Sequence, residues 1–167
     1  MAKETKNLKW EGKASAQLKT TKAEQVWPLL EDFCNLHKWL PTINTCHYVQ
    51  GVHGQPGLVR YCATIIPSSN DTDKDPTTVV KWCHEKLLSL DPVQRCLSYE
   101  IGENNLGFTT YVAEIKAVDI DDGCVVEWSF VADPVEGMRL EDLCGYLESS
   151  LKAMAERMEK ELQAATN

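Results

Sequence analysis

The last third of the chain follows a helical period that the segments before it do not share. Leu140, Leu143, Cys144, Leu147, Leu151, Met154, Met158 and Leu162 recur at i, i+3, i+4 and i+7 spacing. That puts them on one stripe of a single long helix, from about residue 136 to residue 163. Glu148 with Lys152 and Glu156 with Lys160 sit four apart on the other side, where such pairs add a little helix stability. A helix with this stripe is not stable alone. It needs an apolar surface to lie against, and the upstream chain must supply it.

Upstream, strand-like alternation dominates. Residues 8–19 alternate loosely and read as a first strand near a sheet edge. Thr21 followed by Glu24 reads as a capping box. It opens a helix to about residue 33, with Val26, Trp27, Leu30 and Phe33 on one face. Pro28 falls in its first two turns, where proline is best tolerated. Asn35 reads as the cap of a second short helix through Leu40, stopped by Pro41.

Six strands are expected next, at residues 44–51, 57–66, 77–90, 95–102, 107–119 and 124–132. Asp121-Asp122-Gly123 is a strong hairpin signal between the last two. The polar stretch 67–76 (PSSNDTDKDP) reads as a hairpin tip or lid, and residues 102–107 as a second loop. With no repeat and no linker, residues 1–167 read as one α+β domain. In it a seven-stranded curved antiparallel sheet wraps round the C-terminal helix.

Two charged residues interrupt this pattern. Arg60 lies inside GLVRYCATII and Glu85 inside TTVVKWCHEKLLSL, both otherwise strand-like. A buried charge is costly unless it is paired or used. Side chains alternate across a strand. Arg60 therefore shares a face with Leu58, Cys62 and Thr64, and Glu85 shares one with Cys83 and Leu87. In the following strands Tyr99 goes with Leu97 and Ile101, Tyr111 with Ala113 and Ile115, and Trp128 with Cys124, Val126 and Phe130. If these faces meet the helix, Arg60, Glu85, Tyr99 and Tyr111 converge inside, with Leu87 beside Glu85. An apolar wall with a few polar groups is the usual form of a small-molecule site.

Composition excludes several alternatives. The formal net charge is −8 and the pI near 5.0, the wrong sign for a phosphate-binding protein. The N-terminal residues lack an apolar signal region, and no apolar run reaches the roughly 18 residues of a membrane span. The expectation is a cytoplasmic monomer without membrane insertion. Seven cysteines are scattered, with no C-x-x-C among them, which fits reduced thiols. Asn70-Asp71-Thr72 matches a glycosylation sequon that stays bare in such a compartment. His37, His47, His53 and His84 show no metal-ligand spacing, and the glycines at 51, 54 and 57 lack the strand–loop–helix setting of a phosphate loop. No metal and no cofactor are expected.

The segments QVWPLLEDFCNLHKWLP, GLVRY, WCHEKLLSLD, GFTTYVAEIKAVD and VEWSFVADPVEGM, in this order, run through nearly the whole chain. Together they resemble plant lachrymatory-factor synthase-like proteins. These lie in the polyketide cyclase/dehydrase and lipid-transport group of the Bet v 1/START-like superfamily, the helix-grip fold. The resemblance implies a cofactor-free isomerisation of 1-propenesulfenic acid to propanethial S-oxide. It implies Arg60 and Glu85 as the essential pair, Tyr99 and Tyr111 as pocket tyrosines, and Trp128 as part of the wall. Phe108, in Gly107-Phe108, stands where the family has a tyrosine, so one hydroxyl is missing. The 67–76 loop is longer than in the onion-type enzyme.

The chemistry has a physical basis. A sulfenic acid must lose its O–H proton and gain one on carbon, and one carboxylate can serve as base and then acid. A guanidinium can stabilise the developing oxyanion in a dry site. The same residues also suit a structural ion pair in a passive cavity. The fold hosts enzymes, carriers and receptors of lipophilic metabolites alike, so a small hydrophobic or sulfur-containing ligand is expected under either reading.

Overall fold

The computed structural model describes residues 8–67 and 78–165. From residue 68 on, the hairpin tip expected at 67–76 lies outside the described residues, as does the Asn70 sequon.

Alternating burial builds the sheet. In β6 (Tyr111–Ile120), Tyr111, Ala113, Ile115 and Ala117 are buried, and in β7 (Gly123–Ala132) Cys124, Val126, Trp128, Phe130 and Ala132 are buried. The remaining strands are β1 (Trp10–Leu18), β2 (Thr45–Gln50), β3 (Val59–Pro67), β4 (Thr78–Asp91) and β5 (Cys96–Asn104). All seven form one antiparallel sheet in the order β1-β7-β6-β5-β4-β3-β2. Each strand from β2 to β7 pairs with its neighbour in sequence, and β1 closes the row beside β7.

The loop expected at residues 102–107 is shorter than its composition suggests. β5 continues through Asn104, whose Oδ1 then accepts hydrogen bonds from the backbone N–H groups of Leu106, Gly107 and Phe108. Gly107 takes φ +94° there, a conformation natural only to glycine. At the β6–β7 hairpin the positive φ falls on Asp121 (49°). Gly123 is already strand. A Cβ at Gly123 would overlap the carbonyl oxygen of Leu18, so this glycine permits close approach of β1.

The helical boundaries shift for local reasons. Helix α1 is Ala23–Glu31, and Lys22, not Thr21, occupies the cap position. Gln25 Oε1 accepts the Lys22 N–H at 2.9 Å, and Asp119 Oδ1 of β6 accepts the Ala23 N–H at 2.8 Å. A carboxylate from across the fold thus does the work expected of the threonine, which is buried instead. The second segment, Phe33–Lys38, is a 3-10 helix. Asn35 lies inside it with non-helical angles, its side chain bonded to Asp32.

Helix α2 spans Leu140–Ala165, starting about four residues later than its stripe implied. Val135 accepts a turn bond from Met138, and Gly137 has φ +82°, which ends the preceding loop. Asp142 Oδ2 then accepts the Arg139 N–H and caps the helix. The helix lies mainly on β1, with lesser contact to β7 and α1. Leu147, Leu151, Met154 and Met158 are essentially inaccessible in the resulting core. All seven cysteines are free thiols. No helix among the described residues is long and apolar enough to cross a membrane.

Candidate functional site

Arg60 and Glu85 are directly opposed in the β3–β4 register. Burial leaves them 4% and 7% exposed. Arg60 Nε and Nη2 reach Glu85 Oε1 at 2.8 and 2.7 Å, and Nη1 donates to the Phe33 carbonyl at 2.7 Å. The guanidinium carbon lies 3.7 Å from the Phe33 ring centre and 5.1 Å from that of Tyr99. Burial works most strongly against the Arg60 charge, but the Glu85 carboxylate together with Cys62, Tyr99 and Cys46 outweighs it, and the pKa is pushed further up. The Cys62 thiol also donates to Glu85 Oε1, at 3.6 Å. All three contacts fall on that one oxygen. Among the described residues Glu85 Oε2 has no hydrogen-bond partner.

Next to this pair lies a cavity of about 500 Å³ between the sheet, the 3-10 segment and the start of α2. Five of the seven sequence-derived site residues line it: Glu85, Tyr99, Tyr111, Trp128 and Phe108. Arg60 and Leu87 share their faces but lie off the wall. Arg60 is sealed behind Phe33 and Tyr99. Leu87 is wholly inaccessible, further along β4 toward the closed end of the core.

The aromatic residues brace one another. Trp128 Nε1 donates to the Tyr99 hydroxyl at 3.1 Å, and the Tyr99 and Tyr111 ring centres lie 6.3 Å apart. Tyr111 stacks on Phe130 and packs against Phe108. Burial pushes both tyrosine pKa values well up. Their hydroxyls are therefore protonated at neutral pH and act as hydrogen-bonding groups.

Several liners carry no signal in the sequence that marks them as site residues. Leu36, Leu40 and Ile43 come from the segment between α1 and β2, and Tyr146 from α2. Leu143 and Leu147 are legible as part of the helical stripe. Met154 and Met158, further along that stripe, are core and do not reach the cavity. Strand parity places Trp82 on the opposite face, yet it lines the cavity and also packs on the outer-face cluster of Tyr61 and His84. The β4–β5 register shifts between Cys83 and Glu85, beside this position. At the mouth are Lys81, Asp142 and a Thr42–Tyr146 hydrogen bond of 3.1 Å linking the loop before β2 to α2.

Cys46, Cys62 and Cys83 are register neighbours across β2, β3 and β4, with the first two sulfurs 3.7 Å apart. The hydrogen bond to Cys62, then burial, push the Cys46 thiol up. For Cys62 the bond from Cys46 favours the thiolate, but the Cys83 bond and burial prevail and its pKa also rises. Both are protonated and poorly nucleophilic. No group of three or more metal-ligating side chains with suitable geometry occurs among the described residues. His47 and His84 instead flank Tyr61.

A curved antiparallel sheet around a C-terminal helix, holding a largely apolar cavity with the Glu85 carboxylate on its inner wall, defines a helix-grip domain of the Bet v 1-like type. Residues 10–163 match the family described as polyketide cyclase / dehydrase and lipid transport, and the chain belongs to that family. Solved structures share the fold. The protein XoxI from Bacillus cereus aligns with a TM-score of 0.69 at 21% identity, covering 94% of this chain and 98% of that one. A Thermobifida fusca protein gives 0.69 at 22%, covering 90% and 93%. Ara h 8.0201 gives 0.67 at 13%, covering 92% and 97%.

Proposed function

We propose that this protein binds a small lipophilic molecule in the cavity beside Glu85, with Glu85 Oε2 as the polar contact that orients it. The observation that carries this reading is the asymmetry of the carboxylate. One oxygen takes every protein contact, and the other is unpaired on an otherwise apolar wall. An acceptor in a poorly solvated site rewards a ligand that brings a hydroxyl or N–H to it. Arg60 serves here as a positioning residue. Each of its three nitrogens contacts Glu85 or the Phe33 carbonyl, and these contacts hold the carboxylate in place.

A second reading follows from the same pair. In a sulfenic-acid isomerase of lachrymatory-factor synthase type, Glu85 would take the O–H proton and return one to carbon, as base and then acid. What favours it is a fixed carboxylate with a free oxygen on the wall of a largely apolar cavity. The cavity volume favours the binding reading, because about 500 Å³ suits a drug-sized ligand better than a three-carbon sulfenic acid.

The test pairs two assays on the same protein. Native mass spectrometry after incubation with a lipophilic extract reads binding. An alliinase-coupled assay with 1-propenyl-cysteine sulfoxide, read by gas chromatography, reads isomerisation. A Leu143→Trp variant narrows the cavity from the α2 side and leaves Glu85 itself unchanged. Binding that falls in this variant supports the ligand-binding reading, and unchanged binding overturns it. Propanethial S-oxide formed by the wild type and lost in folded Glu85→Gln supports the enzymatic reading, and its absence from the wild type ends it.

A further inference from the structure

We infer that the cavity selects a bipolar ligand: an apolar chain with a carboxylate at the mouth, against Lys81, and a hydroxyl or N–H at the buried end, against Glu85. This rests on the ligand-binding reading above. Lys81, Cys83 and Glu85 alternate onto one face of β4, and all three line the cavity. Lys81 is exposed and Glu85 buried, so the row runs from mouth to interior. Four residues of strand place the two Cα atoms about 13 Å apart, roughly the length of an extended ten-carbon chain.

The charges at the mouth are not equivalent. Asp142 is already held by Arg139, whose Nη2 lies 3.1 Å from Oδ1 and whose Nε lies 3.3 Å from Oδ2. Lys81 has no carboxylate within ion-pair distance among the described residues. An anionic ligand entering head first would bring its charge to Glu85 in a low-dielectric site, a repulsive contact. Entering tail first, it keeps its charge hydrated beside an ammonium. The two ends therefore set orientation as well as chemistry.

The test is displacement of the neutral fluorophore N-phenyl-1-naphthylamine by decanoate, 10-hydroxydecanoate and 1-decanol at about pH 8. It uses the wild type and Lys81→Glu, an exposed substitution compatible with folding. Decanoate should outcompete 1-decanol by about three- to fivefold, the upper part of the range of an exposed ion pair. The terminal hydroxyl should tighten binding further, and Lys81→Glu should reverse the order of decanoate and 1-decanol. Equal affinities in the wild type, or an acid preference that survives Lys81→Glu, would overturn the mouth contact. No gain from the terminal hydroxyl would overturn the Glu85 contact. Failure of the fluorophore and 1-decanol to bind at all would sink the cavity reading and this inference with it. Binding of 1-decanol without an acid preference would sink the bipolar ligand alone.

Discussion

Arg60 and Glu85 face each other across β3 and β4 and meet through a single carboxylate oxygen, at 2.7 and 2.8 Å. Both are buried, so each charge depends on the other for compensation. The pairing also divides the carboxylate into an oxygen the protein holds and one it leaves for the cavity.

Breaking that pair on one side should be severe. Arg60→Leu strands a buried carboxylate, and Glu85→Leu strands a buried guanidinium. Each should lower stability by about 3–5 kcal/mol, whereas the apolar double variant should lose less than either. Urea unfolding of the double-mutant cycle measures this. If the double loses as much as the sum of the singles, the pair is not coupled.

The two glycines 123 and 145 should respond in opposite directions. Gly123→Ala forces a methyl group onto the Leu18 carbonyl and should cost about 1–3 kcal/mol or more through the β1–β7 seam. Gly145, exposed in α2, has no atom within 4 Å of the place a methyl group would take. Its change to alanine should stabilise by about 0.5–1 kcal/mol. Thermal unfolding of the two variants, read side by side, checks both signs.

Tyr99→Phe removes the acceptor of the Trp128 indole N–H. The orphaned buried donor should cost about 1–3 kcal/mol, and the tryptophan fluorescence should shift as its environment changes. An unchanged unfolding midpoint would mean that the indole finds another partner.

Alkaline pH should weaken the fold. Burial pushes the Cys124 thiol from 9.0 up to about 11, and Cys34 is also raised, chiefly by burial. Cys46 is raised mainly by its bond to Cys62. The folded chain therefore keeps protons that the unfolded chain releases. Their contribution is complete below about pH 9 and is lost as pH rises toward each folded-state value. Chemical denaturation from about pH 7 to pH 11 should show a flat midpoint and then a decline. Cys124→Ala should reduce that decline, and a slope independent of the thiols would contradict this account.

Local pattern is enough to assign most residues to a face. Strand parity puts Glu85, Tyr99, Tyr111 and Trp128 on the inner surface, and the helical stripe puts Leu143 and Leu147 opposite them. The order of elements and the antiparallel pairing follow from the same periods and turn signals. Period, however, specifies a face and not a depth. Arg60 and Leu87 satisfy the same parity as Glu85, yet Phe33 and Tyr99 seal the first from the cavity and the core encloses the second. That difference arises only on assembly, because α2 rests on β1 while the 3-10 segment closes over Arg60, leaving the cavity beside β3–β5 with Tyr111 of β6 and Trp128 of β7 on its wall. The α1 cap is a parallel case. Thr21 and Glu24 carry the local signal, but Asp119, nearly a hundred residues away, supplies the carboxylate. A contact made across the fold leaves no mark on local spacing.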